Sequence, residues 1–296
     1  MRSHEPIGAV ETIETAPAKI NLALHVVGMR ADGYHLLESL VTFTEVGDVI
    51  RIQDAPEDWF SISGPFARLL SQGEPRNNLV LQARDLLRGA FGSNLRPVSI
   101  HLEKNLPISS GIGGGSADAA AALRGLLRHW NVARDAETLQ TIAVKLGADV
   151  PMCLASQPLI ARGIGEHIDL LDDLPTLFMV LVNPLKGVST PEIFRRLTEK
   201  NHPPLGERGH TSWFEFIQKS RNDLEPPARV VLPDISEVSD QLSRAGASLV
   251  RMSGSGATCF GLFATMAEAE TAATRLRDQR PDWYVQATAT ITGPKT

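Results

Sequence analysis

The sequence predicts a two-domain protein that mixes helices and strands, and three observations lead there. The chain has 296 residues, about twice the length of a typical single domain. Runs of strand length alternate in polarity or are wholly apolar, and amphipathic helical stretches lie between them in mixed order. No repeat of roughly 20–50 residues recurs, which excludes a solenoid. The boundary is placed near residue 160, giving domains 1–160 and 161–296.

The elements follow in chain order. From Lys19 to Val27 the chain alternates, with Ile20, Leu22, Leu24 and Val26 on one face and Lys19, Asn21 and Ala23 on the other, which is a strand whose second face carries polar groups. Val49 to Ile52 reads as a strand after the turn signal Gly47-Asp48. Asn77-Asn78 offers an N-cap to a helix over Leu79 to Gly89, and Val98 to Leu102 alternates as a strand. A glycine-rich loop from Pro107 to Ser116 runs into a helix over Ala117 to Trp130, with one apolar face. Asp135 caps the next helix, which Gly147 stops. Leu177 to Val182 is a wholly apolar strand ending at Asn183-Pro184. His202 to His210, rich in Pro and Gly, reads as a long loop. Helices follow over Ile235 to Ala245 and Ala267 to Asp278. A strand over Leu249 to Phe263 is interrupted at Gly254-Ser255-Gly256, and Trp283 to Ile291 is a last strand.

Composition excludes several function classes. Hydrophobic residues at 43% and charged residues at 21% are those of a globular chain, neither disordered nor collagenous. The 29 basic residues are outnumbered by 34 acidic ones, for a net charge of −5, which lacks the basic footprint of a nucleic-acid binder. Aromatics at 5% are too few for a base-stacking platform. The longest apolar run, Leu177 to Val182, falls far short of the ~20 residues of a membrane span, so no membrane partner is expected. Met1 to Ala16 carries Glu5, Glu11 and Glu14 and no apolar core segment, so no secretory leader is expected. The two cysteines, Cys153 and Cys259, sit among apolar neighbours and read as buried thiols of a cytoplasmic protein.

The glycine-rich loop is where chemistry concentrates. Four of the 24 glycines fall in Gly111 to Gly115, directly before a helix whose first N–H groups have no intrahelical partner. Glycine lets backbone approach a phosphate closely; a flexible connector or close helix packing is the alternative. The loop has no lysine after its last glycine, so it is not a Walker A motif. Ser116 holds the third place of G-x-G-x-x-G, and Asp135 starts a helix where a dinucleotide fold would end a strand. A dinucleotide-dependent oxidoreductase is therefore disfavoured. A protein-kinase loop would lead into a strand. Asp149, between a helix stop and Pro151, sits on a tight loop where active-site groups concentrate; a turn aspartate capping its neighbours is the alternative. Lys19 lies on the polar face of its strand, and a solvated lysine is the alternative there.

Pro107-Ile108-Ser109-Ser110-Gly111-Ile112-Gly113-Gly114-Gly115-Ser116-Ala117-Asp118 resembles the second motif of the GHMP small-molecule kinases. Pro17-Ala-Lys-Ile-Asn-Leu22 resembles their first motif, and Met252-Ser-Gly-Ser-Gly-Ala257 their third. The stretches Ala31-Asp-Gly-Tyr-His35, Gly147-Ala-Asp-Val-Pro151 and Asn222-Asp-Leu-Glu225 resemble the branch that acts on a cytidine-diphospho methylerythritol. The resemblance runs from about residue 16 to 264. Ala117 departs from it, standing where the family usually has a second serine.

The resemblance implies an α+β fold of two domains. These are an N-terminal α/β domain like domain 2 of ribosomal protein S5 and a C-terminal ferredoxin-like domain, with the active site in the cleft between them. It implies ATP-dependent phosphorylation of the 2-hydroxyl of 4-(cytidine 5'-diphospho)-2-C-methyl-D-erythritol, in the non-mevalonate route to isoprenoid precursors. The alternatives are another GHMP kinase, acting on mevalonate, homoserine or a sugar, and a non-catalytic binding protein on the same fold. Asp149 is then the catalytic base and Lys19 its cationic partner. Pro107 to Ala117 would bind the ATP phosphates, and Asn78 and Lys104 would reach the adenosine end. Tyr34 would stack on the cytosine, His35 would bond its edge, and Asn21 and Phe194 would complete that pocket; an ordinary hairpin turn at Asp32-Gly33 and a helix core face at Phe194 are the alternatives. Mg²⁺ is expected with ATP, held mainly by phosphates and water, with Ser116 as a candidate ligand or, equally, a helix N-cap. Gly254 to Gly256 is expected to turn tightly near the phosphate loop; a β-bulge without function is the alternative. The molecule is expected to be a monomer or a homodimer.

Overall fold

The computed structural model describes residues 11–70, 77–92, 94–133 and 135–293; the first ten residues of the leader reading lie outside them. The chain forms two compact units that interleave along the sequence. One comprises Met1–Ala16, Gly47–Leu106 and Gly115–Leu154, the other Pro17–Val46, Pro107–Gly114 and Ala155–Thr296. Two long strands, β1 (Thr12–Met29) and β2 (His35–Asp54), pair with each other, and each begins in one unit and ends in the other.

In the first unit the end of β2 runs antiparallel to β4 (Val98–Glu103), with Ile52 opposite Ile100. Parallel to β4 lies β3 (Trp59–Ser63). Strand β4 buries Val98, Ile100 and Leu102, the alternation predicted for it. The short helix α1 (Ala67–Leu70) precedes α2 (Leu79–Phe91), which starts where expected because the Asn78 side chain accepts the Val80 N–H. The loop helix α3 (Gly114–His129) begins three residues earlier than predicted, taking Gly114, Gly115 and Ser116 into its first turn. It packs closely: a Cβ on Gly125 would lie 2.8 Å from Ile52 Cδ1. Arg124 ties it to the start of β1 through Glu14 (3.1 Å) and the Thr15 carbonyl (2.8 Å). Helix α4 (Ala136–Leu146), capped by Asp135 as predicted, leads to α5 (Val150–Ala155).

In the second unit, β5 (Leu159–Gly163) runs antiparallel to the start of β2 and to β6 (His167–Leu170). A four-stranded antiparallel sheet has the order β10-β7-β9-β8, from β7 (Phe178–Asn183), β8 (Leu249–Met252), β9 (Cys259–Phe263) and β10 (Tyr284–Ala289). Between β7 and β8 come α6 (Thr190–Arg195), α7 (Trp213–Lys219), α8 (Glu225–Val231) and α9 (Asp234–Arg244), and α10 (Met266–Gln279) follows β9. One core joins the sheet to α9, α10 and β1, through Val180, Val182, Val238, Leu242, Leu276 and Leu24. Each such side chain contributes about 1.5–3 kcal/mol when buried. Arg251 is buried and caps three carbonyls, of Leu22, Ile217 and Ser220. Burial lowers its pKa to about 10.

The strand expected over Leu249 to Phe263 is instead a hairpin. Gly254 (φ 55°) and Gly256 (φ 93°) reverse the chain, and Met252 pairs with Cys259. Both cysteines are buried thiols, as expected. Among the described residues no helix is long and apolar enough to cross a membrane.

Candidate active site

The glycine loop, the β8–β9 turn and β1 meet within the second unit. The Lys19 N–H donates to the Ile112 carbonyl at 2.9 Å. The Ser253 hydroxyl accepts the Asn21 N–H (3.1 Å) and donates to the Gly111 carbonyl (3.0 Å), so one side chain links all three motifs. The Thr258 N–H donates to the Ser110 carbonyl at 3.1 Å. These contacts leave no room at Gly111: a Cβ there would lie 2.5 Å from the Ser253 carbonyl oxygen. At Gly113 a Cβ would press on the Lys19 side chain at 3.2–3.3 Å. The expected closeness of the 254–256 turn to the loop is observed.

Within the loop the residues divide by exposure. Pro107, Ser110, Ile112 and Ala117 are buried and shape it, with the Ser110 hydroxyl bonded to the Pro107 carbonyl at 2.7 Å. Ile108, Ser109, Gly111, Gly113, Gly114, Gly115 and Ser116 keep access to solvent. Gly111 and Gly113 have positive φ (77° and 66°), which glycine adopts without steric cost, and Ser109 shares the region at 52°. The α3 N-terminus follows, with the unpaired N–H groups and positive dipole end that favour an anion. Ser116 lies inside the first turn, so it does not cap the helix.

Lys19 and Asn21 are buried on β1, at 5% and 3% exposure. The face predicted to carry polar groups is enclosed, so each polar atom there needs a partner. Asn21 Nδ2 donates to Ser39 Oγ at 2.7 Å, while Asn21 Oδ1 is buried and has no protein partner among the described residues. His35 stacks on Phe194 with ring centroids 4.8 Å apart, and His35 Nε2 is likewise buried and unpartnered. Burial, then the charge of Lys200, lowers the His35 pKa, so the ring is neutral near pH 7. Tyr34 is 62% exposed, at the end of a turn closed by the Gly33 N–H on the Arg30 carbonyl at 3.0 Å.

In the first unit Asp149 is half-buried between α4 and α5, on the tight turn predicted for it. Its carbonyl accepts the Cys153 N–H and so starts α5. Asn78 serves as the α2 cap. Lys104 is enclosed: at 3% exposure its ammonium bonds Asp48 and Asp118, two carboxylates that sequence reasoning did not single out. The Asn222–Glu225 stretch turns out to hold the β8–β9 turn. Asn222 Nδ2 donates to the Met252 and Gly254 carbonyls, both at 2.8 Å, and Glu225 accepts the Met252 N–H. Among the described residues no group of three or more His, Cys, Asp or Glu side chains gathers as a metal site.

Comparison with known proteins agrees with this geometry. Residues 78–157 match the GHMP kinases N terminal domain, and residues 196–282 match the GHMP kinases C terminal domain. A 4-diphosphocytidyl-2-C-methyl-D-erythritol kinase of Agrobacterium fabrum is 64% identical over 98% of this chain and 100% of its own. The chain belongs to the GHMP kinases, in the 4-diphosphocytidyl-2-C-methyl-D-erythritol kinase family. A relative of the same description from Rhizobium leguminosarum bv. trifolii is 61% identical over 95% of each chain. A crystal structure of 4-(cytidine 5'-diphospho)-2C-methyl-D-erythritol kinase superposes with a TM-score of 0.81 at 32% identity, over 95% of this chain and 100% of that one. Homoserine kinase from Cytophaga hutchinsonii, at 17% identity and a TM-score of 0.68, shares the fold. This kinase thus has the α+β two-domain GHMP architecture that its motifs imply.

Proposed function

We propose that this kinase transfers the γ-phosphoryl group of ATP to the 2-hydroxyl of 4-(cytidine 5'-diphospho)-2-C-methyl-D-erythritol, releasing ADP and the 2-phosphate. The observation that carries this reading is 64% identity along 98% of the chain to an enzyme of that name. The side chains assigned to the substrate support it independently. Asn21 Oδ1 and His35 Nε2 are buried polar atoms without partners among the described residues, a costly state unless a ligand supplies the bond. His35 and Phe194 offer aromatic surface, which suits a cytosine ring carrying both donors and acceptors at its edge.

Phosphoryl transfer asks the protein mainly for positioning and charge stabilisation. The accessible loop residues and the first turn of α3 cradle the phosphates. Asp149 accepts the proton of the attacking 2-hydroxyl, and the Lys19 ammonium offsets the charge developing on that oxygen. Mg²⁺ would accompany the nucleotide, held mainly by phosphates and water. Ser116, half-buried in the first turn of α3, is the hydroxyl that would reach it. When bound, the ion neutralises phosphate charge.

A substrate panel tests the reading. With ATP and Mg²⁺, the purified protein is expected to release ADP with the cytidylated substrate and not with mevalonate or homoserine. Turnover of mevalonate without turnover of the cytidylated compound would overturn it.

A further inference from the structure

The strongest feature that this reading does not use is the buried ion cluster in the first unit. Lys104 Nζ bonds Asp48 Oδ2 and, at 2.7 Å, Asp118 Oδ2. All three side chains are nearly fully buried. Asp48 Oδ1 in turn accepts the N–H groups of Asn105 (2.6 Å) and Leu106 (2.8 Å). Leu106 is the residue before the loop opens at Pro107, and Asp118 lies two residues beyond Ser116 on α3. One cluster therefore grips the chain just before the glycine loop and just after it.

The electrostatics are those of a rigid clamp. Burial works against the Lys104 charge, but Asp118 and Asp48 outweigh it and raise its pKa, so the ammonium persists. Burial also pushes the Asp118 carboxyl up to about 8 against the pull of Lys104, with Asp48 adding to the rise. Two aspartates share one cation, and Asp118 Oδ1 has no partner among the described residues. Well-packed apolar residues serve stability as well as a buried ion pair does, and often better. What the ions add is geometry: a loop of glycines has little stiffness of its own and must be held at its ends to present a fixed cradle.

We propose that Asp48, Lys104 and Asp118 form a positioning triad that fixes both ends of the phosphate loop and thereby sets the affinity for the ATP phosphates. Lys104 is then a positioning residue and not a ligand of the adenosine. The inference rests on the reading that the loop binds ATP, so its test includes a readout taken without nucleotide.

The test compares Asp118→Ala, Lys104→Met, the two combined, and Asp118→Asn. Hydrogen exchange of the peptide spanning 105–117 is measured in the free enzyme, alongside ATP affinity by calorimetry and steady-state kinetics. Asp118→Ala and Lys104→Met are each expected to speed exchange in that peptide while peptides from α2 and from the β7–β9 sheet keep wild-type rates. Each is expected to raise KM for ATP about tenfold with little change in KM for the acceptor. The combined variant is expected to be no worse than either alone, because both remove the same clamp, and Asp118→Asn is expected to regain most of the loss. If Asp118→Ala does not fold, Asp48→Asn with Lys104→Met and Asp118→Leu, which removes all three ionisable groups of the cluster, carries the same test. Unchanged exchange and unchanged ATP affinity in the Asp118 variants would overturn the proposal. So would additive losses, which would assign Lys104 its own contact to nucleotide. A chain inactive on the cytidylated substrate would defeat the functional reading while leaving the exchange result intact.

Discussion

Replacing Gly111 with alanine isolates the contact on which the loop depends. The added Cβ would lie 2.5 Å from the Ser253 carbonyl oxygen, 2.7 Å from that of Gly256 and 2.9 Å from the Gly256 nitrogen. All three are backbone atoms, and the turn that carries them is pinned by Asn222 and Thr258, so it cannot yield cheaply. Alanine at φ 77° costs about 1–2 kcal/mol for the left-handed conformation, and the overpacking adds about 1–3 kcal/mol. The expected loss is therefore roughly 2–5 kcal/mol, a large share of a typical stability of about 5–15 kcal/mol. Two controls separate the terms. Gly33 also has positive φ (90°) but open space around it, so Gly33→Ala should lose only the conformational ~1–2 kcal/mol. Gly89, exposed on α2 with nothing near, should gain about 0.4–1 kcal/mol as alanine. Urea unfolding of the four proteins should rank Gly89→Ala above wild type, then Gly33→Ala, then Gly111→Ala. A Gly111→Ala midpoint equal to that of Gly33→Ala would show that the loop and the turn do not press together.

Other expectations concern the chemistry and its supports. Asp149→Ala should lower kcat by about 10²–10⁴-fold and Lys19→Ala by about 10²–10³-fold, with KM for ATP largely kept; turnover unchanged in both, followed as ADP release, would remove the catalytic assignment. Phe194→Ala should raise KM for the cytidylated substrate by up to about tenfold, the value of one aromatic contact, and leave KM for ATP alone. His25 is buried, with Nε2 accepting the Arg221 N–H and Nδ1 therefore donating to the Pro203 carbonyl. Burial, then the charge of Arg221, lowers its pKa. The unfolded chain takes up a proton below about pH 6.5 that the folded chain resists. His25 thus contributes to a loss of stability as the pH falls below that value, and His25→Leu should flatten the slope between pH 6.5 and 5. An equally steep slope in the variant would contradict the neutral, doubly bonded ring.

What the sequence determined on its own is what short-range physics decides. A glycine run before a helix, Asn78 and Asp135 ahead of apolar periodicity, and the alternation of β4 each express a rule that operates within a few residues. The motifs of β1, the loop and the Gly254–Gly256 turn, singled out in the sequence, come together in the structure. Tertiary structure decided what those residues meet. The middle of β2, Ser39 to Thr44, escaped detection because it is buried on both faces, which erases the alternation that marks a half-buried strand. Ser253 became the link among three motifs through partners 232 and 142 residues away. The family resemblance implies that Lys104 reaches the adenosine end of ATP. Its ion partners were not legible in the sequence: folding closes it between Asp48, 56 residues upstream, and Asp118, 14 downstream, since a charge taken out of water must find its countercharge wherever the fold brings one.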